Sequence, residues 1–369
     1  MSGLRIALCV DALAPQPGGI GRYTWELAKG LGERDDIDRL SFFGRGRLID
    51  EPRNLIENRD LPLRHKLFRR IDAWRMRRTL RSSLVHGPNY FLPTAVEGGV
   101  ITVHDLSVFK YPETHPAPRV RAFEQLFRSS LDRSAHVITD TETIKQELVA
   151  TFSVRPETVT AVPLGVDPRF RPADGSGSEA LAPLGLSGGG YGLCVSTLEP
   201  RKKIRELLLA WERLPAAIRN WFPLALAGGP GWENDDLHTE IERGVGRGWL
   251  RHLGFVDDDL LPALYAGAAL FVYPSIYEGF GLPPVEAMAA GVPVIVADRS
   301  CLPEVCGDAA RYVDPDDPEA FASAIEASLS DVAWRAEAVA RGVARARQFT
   351  WGCCVDRTIG VYQKVINSV

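Results

Sequence analysis

Tyr277-Glu278-Gly279-Phe280-Gly281-Leu282-Pro283-Pro284-Val285-Glu286-Ala287-Met288-Ala289-Ala290-Gly291 is the stretch on which the reading of this chain turns. It follows a short apolar run of strand character, Phe271-Val272-Tyr273-Pro274. Gly279 and Gly281 let the backbone come close to a ligand. Pro283 and Pro284 suit the first turn of a helix, where a missing N–H costs nothing, and Gly291 is a natural helix stop. A strand, a glycine loop and a helix N-terminus in that order favour a bound phosphate, through free N–H groups and the helix dipole. Glu278 in the loop and Glu286 in the first turns of the helix can accept hydrogen bonds from sugar hydroxyls. Any one of these residues is equally explained by a tight turn or an N-terminal helix charge. The whole string fits one task.

Outward from this segment, short apolar runs alternate with helical stretches. Strands are expected at Tyr191–Ser196, Leu224–Ala227, Leu250–Phe255, Leu270–Tyr273 and Val292–Ala297, with helices at Ile204–Leu214 and Pro284–Ala290. The first half repeats the alternation. Its strands are Arg5–Val10, Ser83–His86, Gly99–Val103, Ala135–Thr139 and Ala161–Leu164, with a helix around Tyr23–Leu31. Such alternation predicts parallel sheets with crossover helices. The stretch Arg171–Ser178, rich in Pro, Gly and Ser, separates the halves. A chain of 369 residues suits two domains. The expected division is 1–172, a linker 173–190, a second domain 191–350 and a C-terminal helix 351–369 packing back on the first. Ligands of such sheets bind at the carboxyl ends of strands, so two facing sheets put both sets of loops on one cleft.

Composition narrows the classes. Hydrophobic residues make up 45% of the chain, as in a folded globular protein. No apolar run is long enough to span a membrane, and the start lacks the pattern of a signal peptide. Six scattered cysteines, none in a CxxC pair, predict reduced core thiols in a cytoplasmic protein and no structural metal. The net charge of −4 is uneven: the first 180 residues hold 26 Lys/Arg against 23 Asp/Glu, the remainder 17 against 24. Residues 64–81 alone hold eight Lys/Arg and one Asp. Leu67, Phe68, Ile71, Trp74 and Met76 add a partial apolar stripe, the pattern of an interfacial helix. The alternative is a helix that packs its stripe on its own sheet. No nucleic-acid motif accompanies the patch.

Three further motifs carry chemistry. Cys194-Val195-Ser196-Thr197-Leu198-Glu199-Pro200-Arg201-Lys202-Lys203 runs from a strand into a helix. Cations at a helix start oppose the dipole, so an anionic ligand explains Arg201 and Lys202 better than packing does, Arg by gripping two oxygens and Lys as a point charge. Gly18-Gly19-Ile20-Gly21-Arg22-Tyr23 opens the first crossover helix. Its distance from Val10, with Pro15 and Pro17 between, does not suit a nicotinamide fingerprint. Thr102-Val103-His104-Asp105-Leu106 ends a strand, where a polar side chain is well placed for a ligand.

Together these segments resemble the retaining glycosyltransferases of family 4 (glycosyl transferases group 1), from about residue 5 to about residue 314. Tyr277–Gly291 is similar to their E-x7-E motif, 194–203 to G-T-x-E-P-R-K-N, 18–23 to G-G-I-G-R-Y and 103–105 to V-H-D. Ser196 stands where the family has glycine and Lys203 where it has asparagine. Smaller matches include Ser83–Tyr90, Leu226–Gly229 and Leu253–Val256. Val162–Asp167, with Leu164 where many relatives carry Asn, resembles a mannosyltransferase-like subgroup. The resemblance implies the α/β GT-B fold, two Rossmann-like domains facing each other across a cleft.

It also implies a role for each residue. His104, Arg201, Lys202 and Glu278 act on the transferred sugar and the leaving diphosphate. Gly18, Gly19, Ser196, Gly279, Phe280, Gly281, Leu282 and Glu286 hold the donor, Glu286 at the ribose. Arg22 and Asp105 lie on the acceptor side. The implied partners are a nucleotide-sugar donor, GDP-mannose first, and a saccharide or lipid-linked acceptor. No nucleic acid, cofactor or essential metal is expected. A peripheral contact with an anionic membrane through 64–81, at its inner face, is expected. A GT-B phosphorylase or hydrolase, or a non-catalytic nucleotide-sugar-binding subunit, is the alternative.

Overall fold

The computed structural model describes residues 3–15, 18–58, 66–114, 117–173, 178–229, 231 and 235–368; the side chains of 66–70, Thr114, Ala117, Arg119, Ser178 and Asp235 are not among them. Two compact units emerge. The first comprises Met1–Gly165 and Thr350–Val369, the second Val166–Phe349. The division falls after Gly165, upstream of the Gly/Ser-rich stretch. Leu181 and Leu186, within the expected linker, are buried side chains of the second unit.

The first unit holds a seven-stranded sheet: β1 Leu4–Cys9, β2 Ile37–Gly44, β3 Arg47–Ile49, β4 Leu84–Gly87, β5 Gly99–Val103, β6 Ser134–Thr139 and β7 Val159–Ala161. Their order is β3-β2-β1-β4-β5-β6-β7, parallel throughout except for the β2–β3 hairpin. That hairpin turns on Arg45 and Gly46, with φ of +50° and +75°, the backbone of a two-residue type I′ turn. The central strands bury both faces; every residue of β5 is buried, as expected where helices cover both sides of a parallel sheet.

The helix Trp351–Asn367 begins at Thr350, whose hydroxyl accepts the Cys353 N–H at 3.1 Å. It buries Val355, Ile359 and Tyr362 in the first unit, beside the helix Gly19–Gly32. The Tyr362 hydroxyl lies 2.7 Å from His86 Nδ1, and His86 Nε2 lies 2.8 Å from the Thr102 hydroxyl, itself 2.9 Å from Tyr23 Oη. Burial lowers the His86 pKa to about 3, helped by the nearby His104 charge, so this chain of bonds is neutral. It ties the last helix to β4 and β5 through polar groups that water cannot reach.

The second unit holds six parallel strands: β8 Gly192–Val195, β9 Leu224–Ala227, β10 Leu250–Gly254, β11 Leu270–Tyr273, β12 Val294–Ala297 and β13 Ala310–Val313, ordered β10-β9-β8-β11-β12-β13. Trp211, fully buried, anchors the core between the sheet and the helix Ile204–Arg213. Each such large apolar side chain contributes about 1.5–3 kcal/mol.

Three strands were not expected from the sequence: β2, β3 and β13. Their residues alternate charge with apolar character, and they lie towards sheet flanks, where burial is partial. The expected strand Ala161–Leu164 is corrected to Val159–Ala161. Cys194 is a buried thiol as expected, whereas Cys9 is half-buried.

The helix Lys66–Arg81 packs on β3 and β4 through Thr79 and Leu80, both buried. Ile71 and Trp74, expected in the apolar stripe, are 44% and 59% exposed. Arg64 and His65 of the basic stretch lie outside the described residues.

Candidate active site

Both sheets reverse their winding order at one point: between β1 and β4 in the first, between β8 and β11 in the second. The loops leaving the two strands at such a point diverge and open a crevice, where ligands of doubly wound sheets bind.

In the second unit the loops after β8 and β11 are stitched together. The Ile276 N–H donates to the Arg201 carbonyl at 3.0 Å, and Arg201 Nη1 donates to the Tyr277 carbonyl at 2.8 Å. This places Arg201, Lys202 and Glu278 in one cluster. Lys202, buried, donates from Nζ to Tyr273 Oη at 3.0 Å and forms a short ion pair with Glu278 Oε1. Tyr273 Oη donates to the same Glu278 oxygen at 2.8 Å, and Arg201 Nη1 stands 3.6 Å from the other oxygen, Oε2. Arg201 Nε also donates to Glu199 Oε2 at 3.1 Å. Two cations and two carboxylates thus share one buried patch.

Burial alone would raise the Glu278 pKa. Lys202 and Arg201 outweigh it and hold the carboxyl at about 2. The same burial pushes Lys202 down, against the pull of Glu278. With two cations and a hydroxyl around it, the carboxylate keeps its charge, and the pair is ionic.

The Glu278 main chain is fixed as well. Its N–H donates to Ser300 Oγ at 3.3 Å, and its carbonyl accepts from Ser300 Oγ at 2.8 Å and Cys301 Sγ at 3.2 Å. Gly281 caps the following helix, Leu282–Ala289, with φ +88°, a left-handed backbone that glycine adopts at least cost. Pro283 and Pro284 supply no N–H, so donation at this helix start falls to Leu282 and the loop before it. Phe280, buried, sets its ring 5.3 Å from that of Phe349 and perpendicular to it. Glu286 is buried and accepts the Tyr265 hydroxyl at 2.9 Å. Ser196 is buried, its N–H on the Ala227 carbonyl and its hydroxyl on the Thr197 carbonyl. Lys203 takes a left-handed backbone, φ +53°, a conformation that asparagine tolerates well. Its Nζ contacts Glu206 and Asp316 at 3.1 and 2.8 Å, away from the cluster's carboxylates.

In the first unit, Gly18 and Gly19 are exposed at the start of the helix Gly19–Gly32. A side chain at Gly18 would meet nothing within 4 Å, so the chain's own packing does not demand its smallness. Arg22 is half-buried one turn on. Tyr23, next to it, sets its ring edge-on to His104, centroids 5.0 Å apart.

His104 directly follows β5 and is buried. Its Nδ1 lies 2.8 Å from Asp140 Oδ2, at the end of β6, and its Nε2 donates to the Pro88 carbonyl at 2.9 Å, after β4. Burial would lower the His104 pKa; Asp140 and the Pro88 carbonyl overcome it and raise it. Both ring nitrogens therefore serve acceptors of the chain itself. Asp105 accepts the Ser107 N–H at 2.8 Å in a turn, and its own N–H donates to the Tyr90 hydroxyl at 3.0 Å.

Sequence reasoning missed Asp140, Tyr273 and Tyr265. Asp140 was findable, since it directly follows a strand just as His104 does. Tyr273 ends an apolar strand run, Phe271–Tyr273, and that pattern does not mark its hydroxyl.

Comparison with known proteins agrees with this geometry. Residues 17–170 match the Glycosyltransferase Family 4 model and residues 187–346 the Glycosyl transferases group 1 model. Over 98% of its length the chain is 40% identical to O-antigen chain mannosyltransferase B of Escherichia coli, all of whose length is covered. Among solved structures, sucrose-phosphate synthase of Thermosynechococcus elongatus is similar with a TM-score of 0.75 at 21% identity, covering 99% of both chains. HepE of Anabaena, solved with UDP and glucose, is similar with a TM-score of 0.72 at 20% identity over 98% of both. Two parallel α/β units, the motif residues at their strand ends and a full-length relative lead to one conclusion: the chain belongs to the family 4 glycosyltransferases (glycosyl transferases group 1), has the GT-B fold and is mannosyltransferase-like.

Proposed function

We propose that the chain transfers mannose from GDP-mannose, with retention, to a saccharide or lipid-linked saccharide in surface polysaccharide synthesis. The observation that carries the reaction class is the buried Arg201–Lys202–Glu278 cluster at the switch point of the second sheet, next to the start of the helix Leu282–Ala289. A departing nucleoside diphosphate needs positive charge aimed at the oxygen that accumulates charge. Arg201 and Lys202 supply it from fixed positions, and the N–H groups of Gly279–Leu282 add to it. The sugar is chosen from the full-length relative's name.

In this reading the incoming diphosphate shares both cations with Glu278, whose carboxylate then lies near the transferred sugar. Glu286, held by Tyr265, accepts from the ribose hydroxyls. The acceptor oxygen attacks from the face that the diphosphate leaves, and the leaving phosphate oxygen takes the acceptor proton. Glu278 is an ion-pair partner here and not a nucleophile. Gly18, Gly19 and Arg22 approach the donor phosphates and the acceptor. His104 and Asp140 hold the loop after β4. The two cations do the work for which a metal would otherwise be needed, so full activity is expected in EDTA. Anionic lipid is contacted through the helix Lys66–Arg81.

The test is product analysis of the purified chain with GDP-mannose, UDP-glucose or a dTDP-hexose, with and without a mannoside acceptor. The expected product is an α-mannoside formed from GDP-mannose alone. A need for inorganic phosphate would make the chain a phosphorylase, and release of free sugar alone a hydrolase. Tight donor binding with no turnover on any acceptor would make it a binding subunit.

A further inference from the structure

At the switch point of the first sheet lies a cavity of about 320 Å³. Its walls come from the carboxyl ends of β1, β2 and β4, with Met76 of the helix Lys66–Arg81 at one side. The volume is at the lower end of small-molecule pockets, room for a mono- or disaccharide. Phe43, Phe91, Met76 and Leu92 supply apolar surface, Asp11 and Asn89 the polar side chains. Among the described residues no Lys or Arg lines it.

Asp11 is fixed in place. Its Oδ1 accepts the Arg45 N–H at 2.7 Å, from the left-handed corner of the β2–β3 turn, and its Oδ2 accepts the Cys9 thiol at 3.5 Å. Gly44 makes room for it: a Cβ there would stand 2.8 Å from Asp11 Oδ1. A carboxylate has about four acceptor positions, so about two remain for a ligand. Asn89 is half-buried, and its amide offers two donors and an acceptor. The loop that carries it is held from behind, since the Pro88 carbonyl accepts from His104.

We propose that this cavity binds a neutral sugar ring, the terminal residue of the acceptor, through hydroxyl contacts to Asp11 and Asn89. The apolar walls take the C–H face of the ring. Among the described residues no cation lines the cavity to offset the Asp11 carboxylate, so a neutral ring suits it better than a phosphate. The proposal rests on the transferase reading above and names the part of the acceptor that the first unit recognises.

Two variants test it. Asn89→Ala removes an amide that the fold does not use, and Asp11→Asn keeps the shape but removes the charge. In each, the acceptor KM is expected to rise about tenfold, the loss of one hydrogen bond, with the GDP-mannose KM and acceptor-free donor hydrolysis unchanged. A readout independent of turnover is saturation-transfer NMR of methyl α-D-mannopyranoside: signal with the wild type, loss in both variants, and no competition by inorganic phosphate. Unchanged acceptor KM and unchanged NMR signal in both variants would overturn the proposal, as would displacement of the mannoside by phosphate. If the mannoside binds through Asp11 and Asn89 but no nucleotide sugar is turned over, the pocket stands and the transferase reading falls.

Discussion

The two units place their functional groups at the same topological point and build them from opposite chemistry. In the second, the crevice between β8 and β11 is filled by charge: Arg201 and Lys202 against Glu199 and Glu278. In the first, the crevice between β1 and β4 has apolar walls and a single carboxylate, and the hydrogen-bonded pair of His104 with Asp140 is buried behind the loop. A fold that sets strand ends at one place does not choose the ligand. The residues grafted there do; on the proposed reading they are cations for a departing diphosphate in one unit and hydroxyl partners and apolar walls for a sugar in the other.

The largest expected effect tests the charged half. Lys202→Ala leaves the Glu278 carboxylate buried with its main cation gone, so about 3–5 kcal/mol of stability is lost and turnover drops about 10²-fold or more. Unfolding curves and kcat, measured together, check both. The double variant Lys202→Ala/Glu278→Gln sharpens the result, because it removes the stranded charge. Stability is expected to recover in large part and turnover is not. Recovery of both would show that Lys202 serves only the fold.

Glu286→Ala comes next. The donor KM is expected to rise with kcat little changed, since a ribose contact acts equally in ground and transition states. The variant also removes the hydrogen bond from the Tyr265 hydroxyl to Glu286, at about 0.5–1.5 kcal/mol. Tyr265→Phe isolates that structural part: kinetics near wild type in Tyr265→Phe, with a raised donor KM in Glu286→Ala, supports the ribose role. A fall in kcat alone removes it.

The two buried pairs should also divide the pH range. The His104 pKa is raised on folding, so its contribution to stability is complete below the ordinary imidazole range and is lost as pH rises through the folded value. The Glu278 pKa is lowered to about 2 from a usual 4.5. Its contribution is complete above the usual value and fades as pH falls towards 2. Denaturant unfolding across pH should lose the first unit's share on the alkaline side and the second's in acid. In Asp140→Asn the alkaline loss should disappear while the acid loss remains.

Much of this architecture was legible in the sequence, for a physical reason. Strands buried on both faces read as unbroken apolar runs, so β5, β9 and β11 were found with their residue bounds. β2 and β13, only partly covered, keep charges such as Asp38, Arg39 and Arg311 and lost that signal. Within the site, glycine, proline and charge spacing marked which loops matter. They did not reveal partners. Lys202 and Glu278 lie 76 positions apart and His104 and Asp140 36, so their spacing gives no sign that Lys202 and Glu278 form one ion pair in the fold. The hydroxyls of Tyr265 and Tyr362 left no trace in any pattern, because a buried tyrosine reads as core.

The smallest expected effect concerns the outer surface of the first unit, where charge returns in excess. Ile71, Trp74, Arg75 and Arg78 recur at helical spacing and are all exposed, with the Arg78 guanidinium 5.6 Å from the Trp74 ring centre. Thr79 and Leu80 face the protein. A helix that packs one side and shows tryptophan with arginines on the other suits the headgroup region of an anionic membrane. Each arginine there is worth about 1 kcal/mol. Changing Arg75, Arg77 and Arg78 to Ser should therefore weaken binding to phosphatidylglycerol vesicles on the order of a hundredfold, and raised salt should mimic the change by screening. Turnover on a short soluble mannoside should be untouched, because these side chains take no part in either crevice. Co-sedimentation of wild type and triple variant with anionic and neutral vesicles decides it. Equal binding to both lipids, or loss of turnover on the soluble acceptor, would overturn the membrane role of this helix.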